Sequence, residues 1–150
     1  GSRQAVSSLI PAAILSALRG QIFKMSPGNQ KRDFVQVNDV VNGLLTAAIA
    51  PDVAGRTYDI GTGTVRSIGA VIRGIFKVIG GEGSIDMGAL SYRPNEIMSL
   101  AANTLPAETE LHWKSRIEFE IGIAQTIEWY RKYLQMGESI PVEPYRDSTP

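Results

Sequence analysis

The chain has 150 residues, which is enough for one domain with a hydrophobic core and too few for two ordinary domains. Its 15 basic and 15 acidic residues cancel, so no broad electrostatic field attracts it to nucleic acid or to a membrane surface. Cysteine is absent, which excludes disulfides and cysteine-ligated metals. Neither a membrane-spanning run nor a signal sequence is visible, so we expect a soluble, cytoplasmic protein.

The first fifty residues predict two helices separated by two short strands. Two adjacent serines can cap an apolar helix that ends near Gly20. Strands follow over residues 22–25 and 33–37, with a proline–glycine turn between them. Asn38 or Asp39 is then in position to cap a second helix. Helical spacing places four apolar residues on one face of that helix: Val41, Leu44, Leu45 and Ala48.

The middle of the chain predicts a strand, a tight loop and a helix. A buried-looking strand covers residues 56–60, and the loop Gly61–Thr64 follows it. Ser67 can cap the next helix, which two glycines end at residues 80–81. A brief strand near residues 85–87 leads into a long loop. Strands thus alternate with helices, which is typical of the α/β class.

Two helices and a polar tail complete the chain. Asn103 can cap a short helix whose Pro106 lies in the first turn, where its missing N–H group costs nothing. The last helix runs roughly over residues 117–136, and four residues form its core stripe: Ile123, Ile127, Tyr130 and Leu134. Three prolines interrupt residues 137–150, so we expect an extended or disordered tail. The folded portion is therefore predicted to cover residues 3–136.

Two arginine motifs carry the strongest functional signal. Arg32 opens the run Arg-Asp-Phe-Val-Gln-Val-Asn-Asp-Val, and about sixty positions later Arg93 opens Arg-Pro-Asn-Glu. Together they resemble the C-terminal, substrate-binding half of the extended short-chain dehydrogenases, the NAD-dependent epimerase/dehydratase family of nucleotide-sugar enzymes. The resemblance implies part of a Rossmann-type sheet plus a small, mostly helical substrate lobe. It also implies that Arg32 and Arg93 grip the diphosphate of a nucleoside diphosphate sugar.

Two further segments acquire a role through this resemblance. Ser8 and Leu9 stand where the family's helix start presents amides to the diphosphate, and a helix N-terminus suits an anion because its first N–H groups have no internal partner. An ordinary serine cap is compatible with that role. Phe23, Lys24 and Met25 stand where a strand runs along the nucleobase, and plain edge-strand packing explains them equally well.

Simpler alternatives exist for the charged residues. Arg32 could form only a surface ion pair with its neighbour Asp33, which contributes little stability. We favour diphosphate binding, because a guanidinium makes paired hydrogen bonds that a lysine cannot reproduce. Arg93 could belong to a solvated turn, in which Asn95 replaces the family's glycine and tolerates a left-handed backbone. Glu96 is expected to contact a ribose hydroxyl or to brace Arg93.

The catalytic and cofactor motifs of the family are incomplete. The loop Gly61–Thr64 follows a predicted strand, but Arg66 stands where a cofactor loop needs its third glycine. The family has a structural turn at this place. The sequence also contains no Tyr-x-x-x-Lys pair. We therefore expect NAD or NADP to serve the full-length parent, an epimerase, dehydratase or reductase, and expect neither to bind this chain alone.

The expected partners follow from the same resemblance. They are a nucleoside diphosphate sugar and a missing N-terminal nucleotide-binding half, and unpaired strand edges predict self-association. No basic patch with interleaved aromatic residues supports nucleic-acid binding. His112 replaces a glycine of the family's Leu-Gly-Trp turn and is expected to be structural. The competing hypothesis is a stand-alone, non-catalytic ligand-binding or protein-interaction module, which the length of the natural gene product would distinguish.

Overall fold

A computed structural model describes residues 1–137, which contain five helices and five short strands. In chain order these are α1 (Leu9–Leu18), β1 (Ile22–Met25), β2 (Lys31–Asp33), α2 (Val37–Ile49), β3 (Val65–Ser67), α3 (Ile68–Ile79), β4 (Ser84–Met87), β5 (Ser99–Leu100), α4 (Leu105–Glu110) and α5 (Phe119–Gln135). The α/β class is confirmed. The predicted tail lies outside the described residues from position 138 onward.

The strands form two small sheets. β1 pairs in parallel with β4, so that Ile22 lies opposite Ser84 and Met25 lies opposite Met87. Parallel pairing needs a long crossover connection, and the chain between these strands contains α2 and α3. In the second sheet, β2 lies between β3, which is antiparallel to it, and β5, which is parallel to it. Because β2 lies between two strands, its backbone is held along both edges.

The main hydrophobic core lies between α1, α3 and α5. Ile14, Ile72 and Tyr130, one from each helix, are fully buried. The Tyr130 hydroxyl donates a hydrogen bond of 2.9 Å to the carbonyl of Gln4, just before α1. Burial raises the pKa of Tyr130 to about 12. These contacts hold the start of α1 in a fixed position.

A second, smaller core lies beneath α2. It consists of Ala107, Leu111 and Trp113, with Ile60 packed against it. Gly43 of α2 faces this core, and an added Cβ would lie 3.1 Å from Ile60 Cδ1 and 3.2 Å from Trp113 Cε2. Glycine therefore allows α2 to approach the small core closely.

The predicted junction between β2 and α2 is wrong. The strand covers residues 31–33 rather than 33–37, and α2 begins at Val37. Neither Asn38 nor Asp39 is the cap. The cap is Gln36, whose side-chain oxygen accepts a hydrogen bond from the backbone N–H of Asn38.

Asp39 instead connects two distant parts of the chain. It lies in the first turn of α2 and is only 5% exposed. One carboxylate oxygen accepts hydrogen bonds from the Ser115 hydroxyl at 2.8 Å and from the backbone N–H groups of Arg116 and Ile117 at 3.0 and 2.9 Å. A buried carboxylate is stable only with such partners. Asp39 therefore fastens the segment before α5 to α2.

The predicted strand at residues 56–60 is also wrong. A strand needs a neighbour for its backbone hydrogen bonds, and within residues 1–137 no strand pairs with this segment. Two of its side chains are nevertheless held in position. Arg56 and Tyr58 both donate hydrogen bonds to Glu110 at the end of α4, at 2.5 and 2.8 Å. The N-cap position of α4 is held by Thr104 rather than by Asn103, and the Thr104 side chain makes no capping hydrogen bond.

The apolar stripe of α2 is largely exposed. Leu44 and Leu45 are both 62% accessible and Ile49 is 86% accessible. We call Val41, Leu44, Leu45, Ala48 and Ile49 the α2 apolar face. The corresponding stripe of α5 packs as predicted, with Ile127 and Tyr130 buried. None of the helices within residues 1–137 combines the length and the apolarity needed to cross a bilayer.

Candidate functional site

An open cavity of about 420 Å³ lies where the start of α1, the end of β1, β2 and the loop after β4 meet. Its volume lies within the range of roughly 300–1,000 Å³ that is usual for small-molecule sites. It is lined by Leu9, Met25, Ser26, Gln30, Arg32, Phe34, Ile68, Leu90, Ser91, Tyr92, Arg93 and Glu96. We call this the Arg32 cavity.

Five of the eight residues predicted to bind substrate line the Arg32 cavity: Leu9, Met25, Arg32, Arg93 and Glu96. The other three do not line it. Ser8 is the N-cap residue of α1, and its side chain makes no capping hydrogen bond. Phe23 packs against the main core, with its ring centroid 6.4 Å from that of Phe76. Lys24 is exposed on β1.

Arg32 is held from several directions. Its Nη1 group donates hydrogen bonds to the carbonyls of Lys31 at 2.8 Å and Ile97 at 2.6 Å. Its Nη2 group forms an ion pair with Glu96 at 2.5 Å, and the two side chains are 26% and 17% exposed. The simpler alternative, a surface pair with Asp33, is therefore wrong, because the carboxylate that contacts Arg32 comes from the Arg93 loop.

The Asp33 side chain does not pair with Arg32 and instead stabilises the loop Gly61–Thr64. Its carboxylate accepts hydrogen bonds from the Thr62 hydroxyl at 2.5 Å, from the Thr62 N–H at 3.0 Å and from the Gly63 N–H at 2.8 Å. The N–H of Ala102 adds a longer one at 3.3 Å. This loop is a structural turn built around Asp33. The Thr62 and Gly63 amides, which a cofactor phosphate would need, already donate to this carboxylate.

The loop that carries Arg93 turns sharply beside the cavity. Asn95 adopts a left-handed backbone with φ of 61°, as its replacement of glycine predicted, and the Glu96 N–H donates to the Arg93 carbonyl at 3.1 Å. This turn directs Glu96 toward Arg32. Arg93 is exposed, and among residues 1–137 its guanidinium has no hydrogen-bond or ion-pair partner. Arg93 is thus available to a ligand.

The start of α1 adds a partial positive charge to the cavity. Leu9, the first residue of α1, lines it, and no acidic residue lies in the first turn of this helix. The first N–H groups of a helix lack internal partners and carry part of the helix dipole. With two arginines and one glutamate, the ionisable lining has a net charge of +1. The cavity therefore favours an anion.

Two cavity residues carry no signal in the sequence. The Tyr92 hydroxyl accepts a hydrogen bond of 3.1 Å from the backbone N–H of Asn29, which ties the Arg93 loop to the turn after β1. Gln30 donates through Nε2 to the Ser26 hydroxyl at 3.1 Å, while its buried Oε1 has no partner in the described part of the chain. Only the fold shows that these two residues face the same cavity.

Outside the cavity, two features bear on other kinds of site. His112 is exposed and has a left-handed backbone with φ of 52°, a conformation that explains why a glycine suits this turn. Residues 1–137 contain no group of three or more histidine, cysteine, aspartate or glutamate side chains that could hold a metal ion.

Comparison with known proteins finds similarity to enzymes that are named for nucleotide-sugars. Residues 1–61 match the NAD dependent epimerase/dehydratase family. The CDP-abequose synthase of Salmonella muenchen is 30% identical over 131 residues, which are 85% of this chain and 43% of that protein. The dTDP-glucose 4,6-dehydratase of Mycolicibacterium smegmatis is 31% identical, covering 87% of this chain and 40% of that protein.

Solved structures show the same relation. The structure of MoeE5 in complex with UDP-glucuronic acid and NAD superposes with a TM-score of 0.79 at 30% identity, covering 86% of this chain and 43% of MoeE5. A UDP-glucose 4-epimerase from Thermotoga maritima has a TM-score of 0.77 at 23% identity and shows the shared fold. The chain thus spans about two fifths of the length of the relatives that it matches.

Proposed function

Because this chain belongs to the NAD-dependent epimerase/dehydratase family, we propose that it forms the part that binds the nucleoside diphosphate of a nucleotide-sugar. The observation that carries the proposal is the Arg32 cavity, where Arg32, Arg93 and the start of α1 converge although they are distant in sequence. The whole protein would be an epimerase, dehydratase or reductase that uses NAD or NADP.

The chemistry of the cavity fits a diphosphate. The Lys31 and Ile97 carbonyls hold the Arg32 guanidinium in place, and its Nε–H has no partner within residues 1–137. A fixed guanidinium can make two charge-assisted hydrogen bonds to one phosphate group. Arg93 would supply a second positive charge, and the first amides of α1 would supplement it. Apolar side chains beside these groups, such as Met25 and Leu90, suit the base and ribose.

The names of the relatives support a diphosphate rather than one particular base. They include a CDP-sugar, a dTDP-sugar and a UDP-sugar. The group common to the three is the diphosphate between base and sugar, which is the group that two arginines recognise best. We therefore assign Arg32 and Arg93 to the diphosphate and leave the base and the sugar open.

We propose further that hydride transfer needs the nucleotide-binding half of the family. The chain contains no Tyr-x-x-x-Lys pair and no complete cofactor loop. The amides of the Gly61–Thr64 loop donate to Asp33. NAD or NADP would then be bound by the other half, and this chain would contribute substrate binding. The cytoplasm is the proposed compartment, because a cysteine-free chain suits a reducing environment.

Titration of the chain with UDP, dTDP, CDP and uridine tests the proposed ligand. We expect the three diphosphates to bind at millimolar concentration or tighter, equivalent to about 4 kcal/mol, and uridine to bind more weakly. Arg32→Ala should weaken UDP binding by roughly one to two orders of magnitude, because hydrogen bonds to charged groups contribute about 1.5–3 kcal/mol each. Arg32→Lys should recover only part of the loss.

Arg56→Ala is the matched control for Arg32→Ala. Arg56 forms an equally short ion pair of 2.5 Å, with Glu110, but does not line the cavity. Its removal should leave UDP affinity unchanged. The proposal fails if UDP binds no better than uridine, or if Arg32→Ala binds UDP as tightly as the unmodified chain while remaining folded.

The α2 apolar face favours a second role, in association. Several exposed apolar side chains on one helix face are typical of an interaction site. In a longer protein we propose that the nucleotide-binding half covers it, and in this chain alone it would promote self-association. A stand-alone interaction module would use the same face to bind a partner protein. What covers the α2 apolar face therefore distinguishes such a module from the substrate-binding half of a longer enzyme.

A further inference from the structure

Glu96 forms an ion pair with Arg32, the side chain that the proposed function assigns to the ligand. Its carboxylate pairs with Arg32 Nη2 at 2.5 Å, while both side chains are largely shielded from water. No hydrogen bond joins Glu96 to the Arg93 side chain, although Arg93 lies in the same turn. Glu96 thus neutralises Arg32, and its carboxylate does not brace the Arg93 side chain.

This inference rests on the proposed function. We propose that Glu96 is an internal competitor for Arg32, which holds the guanidinium until the diphosphate of a ligand displaces the carboxylate. Glu96 would therefore set the affinity of the site by lowering it. A glutamate that only oriented Arg32 would have the opposite effect, because its loss would weaken binding.

The geometry favours competition over orientation. Arg32 donates both hydrogens of Nη1 to the carbonyls of Lys31 and Ile97, so its position does not depend on Glu96. Arg32 is also fixed through its backbone, since β2 is paired on both edges, opposite Arg66 and Leu100. What Glu96 adds is negative charge at the place where a diphosphate would bind.

Displacement of the carboxylate is feasible because a second cation is near. Arg93 lines the same cavity, is exposed, and has no side-chain partner among the described residues. The backbone of the two residues is already joined by the hydrogen bond from Glu96 N–H to the Arg93 carbonyl at 3.1 Å. A carboxylate that leaves Arg32 therefore remains beside a positive charge. This lowers the cost of the exchange without removing it.

Titration of the 150-residue chain with UDP tests the inference, because every residue that lines the cavity belongs to this chain. Glu96→Gln keeps the shape of the side chain and removes its charge. We expect it to bind UDP about three- to tenfold more tightly, the change expected when a partly shielded competing charge is lost. Glu96→Asp keeps the charge on a shorter side chain and should bind with intermediate affinity.

Two further variants separate competition from other effects. In the Arg32→Ala background, Glu96→Gln should give a markedly smaller gain, because Glu96 then has no Arg32 to occupy. Glu110→Gln removes an ion pair of the same length outside the cavity, that with Arg56 at 2.5 Å, and should not change UDP affinity. Tighter binding cannot arise from a damaged fold, so the expected sign is itself informative.

The outcomes separate the two proposals. Tighter UDP binding by Glu96→Gln that depends on Arg32 supports the competitor. Unchanged or weaker binding by Glu96→Gln overturns it, while a loss of affinity in Arg32→Ala would still support the proposed function. If the unmodified chain does not prefer UDP to uridine, the proposed function fails, and the competitor fails with it.

Discussion

Removal of the Asp33 carboxylate should destabilise the protein more than removal of any exposed acidic group. Asp33 is partly buried and accepts hydrogen bonds from the Thr62 hydroxyl and from the N–H groups of Thr62 and Gly63, at 2.5, 3.0 and 2.8 Å. Gly61 lies so close to Asp33 that an added Cβ would be 2.7 Å from Oδ2. In Asp33→Ala these donors would lose their common acceptor inside a tight loop.

The magnitude follows from these contacts. A hydrogen bond to a charged group contributes about 1.5–3 kcal/mol, and water can replace part of the loss because the loop is not fully buried. We expect Asp33→Ala to lower the free energy of unfolding by about 3 kcal/mol, a large share of the roughly 5–15 kcal/mol of a typical domain. With a urea m-value of about 2 kcal/mol/M, the midpoint would fall by about 1.5 M.

Urea unfolding followed by tryptophan fluorescence measures this change, with Trp113 in the small core as one reporter. Asp59→Asn is the control, because Asp59 is exposed and accepts one hydrogen bond, from the Asn103 N–H at 3.1 Å. It should change stability by no more than about 0.5 kcal/mol. If Asp33→Ala unfolds at the same urea concentration as Asp59→Asn, Asp33 does not hold the loop.

Three other expectations concern the backbone, the surface and pH. Asn95→Val should lower the free energy of unfolding by about 1–2 kcal/mol, and Asn95→Gly should preserve it, because Asn95 has a φ of 61°. Leu44→Lys with Leu45→Lys should reduce self-association in light scattering, whereas Val78→Lys on α3 should not. The raised pKa of Tyr130, about 12 against 10.0 unfolded, predicts stability that is present below pH 10 and lost as the pH rises toward 12. Tyr130→Phe should abolish that loss in alkaline urea titrations.

Elements defined by neighbouring residues could be predicted from the sequence. The helix α3 follows a serine whose hydroxyl accepts a hydrogen bond from Ala70 N–H, and it ends at a glycine with φ of 68°. Both signals lie within the helix or next to it. The strand β1 was predicted with the observed bounds, Ile22–Met25, because a glycine precedes it and a proline–glycine turn follows it.

Elements that depend on distant residues could not be predicted. Asp39 has the composition and position of a helix cap, but its partners lie 76 to 78 positions away. Residues 56–60 have an alternating pattern typical of a strand, yet a strand also requires a pairing partner, and within residues 1–137 no strand pairs with them. The partner of Arg32 lies 64 positions away. In each case a local interaction was plausible from the sequence, but contacts with distant residues determined the observed structure.

The sequence predicted the two arginines of the candidate site but not the other residues that line the cavity. Arg32 and Arg93 occur in recognisable motifs, so the resemblance identified them without knowledge of the fold. Tyr92 and Gln30 have no such motif, and they line the cavity because the loop after β4 folds back onto the turn after β1. Side chains that define the shape of a site are set by topology, which a single sequence specifies only indirectly.

Arg32 and Asp33 are adjacent in the motif, yet Arg32 lines the cavity and Asp33 holds a loop outside it. Successive side chains of a strand point to opposite faces of the sheet. On β2, Arg32 therefore reaches Glu96 and the cavity, while Asp33 reaches the loop at Thr62 and Gly63. The loop held by Asp33 leads directly into β3, the strand that pairs with β2. Loss of Asp33 should therefore also displace Arg32, so Asp33→Ala should weaken UDP binding although Asp33 does not line the cavity.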